Sequence, residues 1–202
     1  MDALRSMAAQ AATVFLILLF VRAAWHKIGD YGRFAGFLAD YRLLPAALVD
    51  SAARALIAAE LGCVALLAWP ASGSAGALAA AGLLLLYAVA IAVSLARGQR
   101  RIDCGCGGAP QHLSWALVAR NLALAALAVP AAAGGPLDLY AGAVAVLAGL
   151  LLWGAYLLVE QVIANADRRL QLLAARQAQS SRSPSCPFSS SSSPSSACWS
   201  SA

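Results

Sequence analysis

Apolar residues run almost unbroken through five stretches of the chain, and polar residues gather between them. The first run is Ala8 to Ala24, centred on Val14 to Val21. The second is Ala46 to Trp69, the third Ala75 to Ala96, the fourth Trp115 to about Val129, and the fifth Leu137 to about Ile163. Each is near the roughly 20 residues that a helix needs to cross a bilayer. The first run ends at Arg22 and Trp25 without a small-x-small cleavage pattern, and more spans follow. It reads as a retained helix and not a signal peptide.

Between the first two runs the pattern changes. Tyr31, Phe34, Phe37, Leu38 and Tyr41 recur at helical spacing, with Asp30, Arg33, Asp40 and Arg42 between them. This predicts an amphipathic helix lying in the membrane interface. Pro45, at a first helical position, starts the second span. Pro70 to Ser74 and Pro130 to Pro136 are turns, and Ser114 is the expected N-cap of the fourth span. Small residues recur at i, i+4 in Ala58 and Gly62, in Gly73, Ala77 and Ala81, and in Ala141, Ala145 and Gly149. That spacing lets helix backbones approach in lipid.

The expected fold is therefore all-α: a polytopic transmembrane bundle of about five spans, as a four-helix core plus one, with an interfacial segment after the first span. Residues 1–166 form the membrane domain. Residues 167–202 are basic and then Ser/Pro-rich, too poor in apolar residues to fold, and read as a disordered tail.

Composition agrees. Of the 202 residues 61% are hydrophobic and only 11% charged, against roughly a quarter charged in soluble domains, and the mean hydropathy is +0.74. The net charge of +5 does not point to nucleic acid, because the basic residues flank apolar spans instead of forming a patch with aromatics. With five spans, one side carries Lys27, Arg33, Arg42, Arg97, Arg100, Arg101, Arg168, Arg169, Arg176 and Arg182, and the other carries Arg5. The positive-inside rule makes the first side cytoplasmic.

The chemistry concentrates in Arg100 to Pro110, the one long polar stretch between the later spans. It holds Cys104 and Cys106, separated by Gly105. Of the five cysteines, Cys63 lies in an apolar run as a packing residue, and Cys186 and Cys198 lie in the serine-rich tail. A disulfide needs Cα atoms roughly 4.4–6.8 Å apart, and Gly105 permits the turn that brings Cys104 and Cys106 into range. Such a bridge is strained and suited to exchange. Gly107 and Gly108 leave it open to a partner. Arg100 and Arg101 favour the thiolate, Asp103 opposes it, and His112 is a candidate proton shuttle. Two other readings stay open. A zinc site needs four ligands and His112 is the only obvious third, so no metal is expected; an inert glycine turn is the other.

Arg22, Glu60 and Arg120 fall inside or at the edge of spans, where charges pair or line a cavity. The expected pair is Glu60 with Arg22 or Arg120, either fixing helix register or shaping a quinone or proton pocket.

Phe20 to Asp30, Phe37, Tyr41 to Pro45, Asp103 to Gly107, and Arg120-Asn121 together resemble the methylamine utilisation protein MauE family, within the wider DoxX-like membrane proteins. The resemblance covers about Ala8 to Ile163. Its specific part is Cys-Gly-Cys-x-Gly; Lys27-x-x-Asp30 is shared more widely. The chain departs in Gly108, where the family often has an aromatic, and in the serine-rich tail. The resemblance implies a multi-pass protein of the bacterial cytoplasmic membrane that matures the disulfide-rich, exported small (β) subunit of methylamine dehydrogenase, beside a thioredoxin-like partner. It adds Lys27 and Asn121 to the intramembrane polar residues. It also favours an outward-facing cysteine segment, against the arginine count. If the chain is an enzyme, it is a thiol-disulfide oxidoreductase. The rival functions are a quinone-linked, DoxD-like oxidoreductase with Glu60 and Arg120 near the quinone, and a non-redox assembly or transport factor.

Overall fold

A computed structural model describes residues 2–98, 114–132 and 139–182. The described residues form helices α1 (Asp2–Gly29), α2 (Tyr31–Asp40), α3 (Ala46–Ala68), α4 (Gly73–Ala96), α5 (Trp115–Ala132) and α6 (Leu139–Arg182), with a 3₁₀ turn at Pro70–Ser72. All but α2 are long and apolar enough to cross a membrane. The protein is a multi-pass helix bundle, as the hydropathy pattern predicts. Exposed Trp25, near the end of α1, and Trp115, at the start of α5, lie at one end of the bundle; exposed Trp69, at the end of α3, lies at the other. Such residues suit the two membrane–water interfaces.

Short helix α2 exists because Asp30 caps it. The Asp30 carboxylate accepts the Arg33 N–H at 3.4 Å, satisfying one orphan donor of the first turn. Phe34 is buried beneath it. At its start the Tyr31 hydroxyl donates to the Asp50 carboxylate and, at 3.1 Å, to the Asp50 carbonyl. Arg54 pairs with the same carboxylate, so α2 is latched to the first turns of α3. The hydrogen bond to Asp50 raises the Tyr31 phenol above its ordinary pKa. Pro45 sits at the N-cap of α3 with extended backbone, one residue before the expected first helical position.

The core is built from α1, α3, α4 and α5, around Phe15, Leu16, Phe20, Cys63, Leu84 and Ala128. Cys63 is buried there as a packing residue. Two glycines set the closest approaches. A Cβ on Gly76 would lie 2.6 Å from the Leu67 amide nitrogen, so the α3–α4 corner closes only around glycine. A Cβ on Gly149 would lie 2.8 Å from the Ala11 carbonyl oxygen and from the Val14 Cβ, which brings α6 onto α1. Of the small-residue stripes, Ala145 and Gly149 therefore serve helix contact, whereas Gly62 has nothing within 4 Å of its would-be Cβ. Phe15 completes the α1–α6 seam with edge-on contacts to Trp153 at 6.2 Å and Tyr156 at 5.6 Å. Aromatic pairs of this kind contribute about 0.5–1.5 kcal/mol beyond their burial.

Helix α6 does not stop where its apolar run ends near Ile163 but continues to Arg182. The chain divides into two compact units, Met1–Ala164 and Asn165–Ala202. In the second, the described residues are the last turns of α6, with Arg168, Arg169, Leu172, Leu173 and Arg176 exposed.

Helix α4 ends on Gly98 in the left-handed conformation (φ 79), its N–H bonded to the Leu95 carbonyl at 3.0 Å. This is a common glycine stop. Beyond it, Arg100, Arg101, Cys104, Gly105, Cys106, Gly107 and His112 lie outside the described residues. The two helix ends that bracket them are described. Ile91 and Leu95 of α4 and Leu117 of α5 pack with Tyr41, and Arg97 Nη1 donates to the Arg42 carbonyl at 3.3 Å. Burial pushes the Tyr41 phenol up to about 12. The end of α4 and the start of α5 thus both lie beside the turn that follows α2.

Candidate functional site

The second half of helix α1 carries two permanent cations, Arg22 and Lys27. They lie five positions apart, which at 3.6 residues per turn puts them about 140° apart around the helix. They therefore meet different neighbours, and each builds its own polar cluster.

Lys27 faces α3 and α4. Its ammonium pairs with Glu60 Oε1 and donates to the Tyr87 hydroxyl at 3.4 Å. The Tyr87 hydroxyl in turn donates to the same carboxylate oxygen at 2.8 Å. The side chains of Lys27 and Glu60 are 3% and 0% exposed, so this ion pair is sealed from solvent. Lys27 Nζ also lies 5.3 Å from the Phe34 ring centroid and 5.1 Å from that of Tyr87. Aromatic faces stabilise a cation that has left water.

Arg22 faces α6. Its Nη1 donates to Glu160 Oε2 at 2.7 Å. Arg120 of α5 donates to Glu160 Oε1 at 3.1 Å, and the Tyr156 hydroxyl donates to that oxygen at 2.6 Å. The Arg22 guanidinium stacks 5.9 Å from the Trp153 ring. One carboxylate thus holds two guanidinium groups, and three helices converge on it.

The expected pairing of Glu60 with Arg22 or Arg120 is corrected here. Glu60 takes Lys27, and both arginines take Glu160. The reason is register. Helix α1 stays helical to Gly29, which carries Lys27 back into the bundle and off the membrane edge where its sequence neighbours suggest it lies. Glu160 is the residue that reading the sequence missed. Its signal was present: a carboxylate in the fifth apolar run, one turn after Tyr156, with the i, i+4 spacing that lets the two bond.

Asn121 is buried, and its amide donates to the Leu117 carbonyl of its own helix at 2.9 Å. Glu60, Arg120 and Asn121 line one small chamber of about 30 Å³ between the two clusters. Lys27 and Tyr87 also border a second cavity of about 530 Å³. Its walls are apolar, with Phe34, Phe37 and Leu38 of α2, Leu56 of α3 and Leu86 of α4. Among the described residues no three His, Cys, Asp or Glu side chains group to hold a metal; Cys104, Cys106 and His112 are not among them.

Residues 5–134 match the family model of the methylamine utilisation protein MauE. A protein named "Methylamine utilization protein MauE" from Paracoccus denitrificans is 43% identical over 151 residues, covering 69% of this chain and 78% of the relative. One of the same name from Methylorubrum extorquens is 44% identical over 154 residues, covering 71% and 83%. A third, from Methylophilus methylotrophus, is 39% identical over 128 residues, covering 62% and 67%. No solved structure matches the chain.

Proposed function

Because the chain belongs to the methylamine utilisation protein MauE family, a multi-pass membrane component of methylamine utilisation, we propose that it exchanges disulfides with an exported protein through Cys104 and Cys106. The observation that carries this reading is the Cys104-Gly105-Cys106 pair, inside the family-matching region. The ends of α4 and α5 that bracket the pair in sequence pack against Tyr41. By resemblance the client is the small subunit of methylamine dehydrogenase, and the membrane is the bacterial cytoplasmic membrane.

A client thiolate attacks one sulfur of the Cys104–Cys106 disulfide, and the other sulfur leaves as a thiolate. The second client thiolate then attacks the client sulfur of the mixed disulfide, and the bonded cysteine leaves as a thiolate. The client gains one disulfide, and Cys104 and Cys106 are reduced by two electrons. A thioredoxin-like protein in its disulfide form re-oxidises them. Arg100 and Arg101 favour the thiolate form of the leaving sulfur, and His112 shuttles its proton.

The test is sidedness. Cys104, as the only cysteine left, should react with a membrane-impermeant thiol reagent in intact, reduced cells. Reaction only after permeabilisation would put the pair on the cytoplasmic side and end the proposal of exchange with an exported client.

A second reading, quinone-linked oxidoreduction, is favoured by the 530 Å³ apolar cavity that ends on Lys27 and Tyr87. It is of ordinary size for a ligand site, and the Lys27 ammonium, which has three N–H donors and spends two on Glu60 and Tyr87, suits a ring carbonyl. A quinone there would supply a two-electron acceptor within the bundle. Saturable binding of a short-chain benzoquinone, abolished by Leu56→Trp, would favour it; no binding would remove it.

A further inference from the structure

Three buried side-chain polar atoms have no hydrogen-bond partner among the described residues: Ser94 Oγ, Glu60 Oε2 and Arg120 Nε. The last two belong to different clusters, yet both side chains line the same chamber of about 30 Å³. One is an acceptor and the other a donor. Each sits where an unmet polar group is costly.

The geometry points to a binding site for a single resident water that accepts from Arg120 Nε–H and donates to Glu60 Oε2. Volume and chemistry select it. A buried water needs upward of about 10–15 Å³ and two to four polar partners, and the chamber supplies both. A cation is opposed by Lys27 and Arg120, which line the chamber, and an anion by Glu60. An organic group does not fit the space. The remaining occupant is neutral, water-sized and able to donate and accept at once.

The consequence is connectivity. Without the water, Lys27–Glu60–Tyr87 and Arg22–Glu160–Arg120 are separate clusters. With it they form one chain of hydrogen bonds that reaches all five spanning helices, α1, α3, α4, α5 and α6. Glu60, otherwise sealed, gains an exchangeable proton partner. A change in one cluster is then felt in the other.

Two measurements test this on the full chain. A structure in lipid nanodiscs, at a resolution that orders waters, should show one density peak about 2.7–3.2 Å from both Glu60 Oε2 and Arg120 Nε. A chamber without density, or a direct bond between Glu60 and Arg120, would overturn the site. Arg120→Lys keeps the charge opposite Glu160 but removes Nε. Its effect on the unfolding equilibrium should depend on Glu60: in a cycle with Glu60→Gln, the combined effect should differ from the product of the single effects by about threefold to tenfold. Strict additivity would contradict the bridge. If Glu60→Gln does not accumulate, the density measurement decides alone.

Discussion

The two polar clusters of the bundle are built from similar parts and solve different problems. Around Lys27 there is one ammonium, one carboxylate and one phenol. The charges cancel, and the side chains are almost wholly buried. Around Glu160 there are two guanidinium groups on one carboxylate, a net charge of +1. Arg22 and Arg120 remain 25% and 23% exposed. The difference follows from desolvation. A pair removed entirely from water must balance its charges, because a leftover charge there has nothing to answer it. A cluster that keeps some exposure tolerates an excess charge, and the delocalised, weakly hydrated guanidinium suits it better than lysine does. The single lysine of the chain stands at the sealed site; both arginines stand at the open one.

The comparison breaks most readily at the sealed site. Lys27→Met leaves Glu60 charged and unpaired inside the bundle and should cost about 3–5 kcal/mol. Little folded protein should remain in the membrane fraction. Glu60→Gln should act in the same direction and strand the ammonium, whereas Lys27→Met with Glu60→Met should recover much of the loss. Membrane abundance and unfolding in a denaturing-detergent titration measure this. Equal loss in the single and double variants would mean that Lys27 and Glu60 do not stabilise one another.

At the open site the order of effects should depend on which partner is removed. Glu160→Gln leaves two guanidinium groups facing each other and should destabilise by about 2–3 kcal/mol. Arg22→Met leaves a neutral Arg120–Glu160 pair and should cost about 1 kcal/mol. The same detergent titration ranks them. A larger loss for Arg22→Met than for Glu160→Gln would contradict the charge argument.

How much of this was legible in the sequence differs between the two clusters and the fold. The spans were legible because lipid imposes length and apolarity on every crossing segment. The α2 segment was legible because its aromatic spacing is helical and its polar residues are not on that face. The partners of Glu60 were not. Lys27 stands beside His26 and Asp30 and looks like a residue at the membrane edge; only the continuation of α1 to Gly29 draws it inward. Glu160 lies three residues before the end of its apolar run and resembles the beginning of a polar tail; only the continuation of α6 keeps it in the bundle. Which of two cations meets which carboxylate depends on rotation about α1, which no single stretch of sequence records. The reading of Cys104 and Cys106 as a redox pair, with Arg101, Gly105, Gly107 and His112 in support, rests on the sequence of that stretch, which lies outside the described residues.

The comparison is sharpened by a change that touches neither cluster directly. Gly149→Val forces side-chain atoms toward Ala11 and Val14 and should push α6 off α1, at about 1–3 kcal/mol. The Glu160 cluster, which depends on α6, should weaken. The Lys27 cluster, joined to it only through the bridging water, should weaken far less. In a Gly149→Val background, Glu160→Gln should therefore lose much of its own effect, and Lys27→Met should keep most of its effect. Gly62→Ala, with open space around it, should stay within about 0.5 kcal/mol. Equal effects at Gly149 and Gly62 would remove the close approach of α6.

The central claim is that this bundle serves a thiol pair that acts as a unit. It is tested most directly by following the disulfide-bonded, exported client in cells carrying Cys104→Ser, Cys106→Ser or both, in place of the native chain. Each single change should abolish accumulation of the oxidised client, and the double change should be no worse, because exchange requires both sulfurs. One single variant should accumulate a reductant-sensitive adduct with a thioredoxin-like protein, the attacking thiol having lost its resolving neighbour. Cys63→Ala should leave client oxidation intact. Full maturation of the client in the double variant would contradict the account and leave the bundle as a non-redox assembly factor.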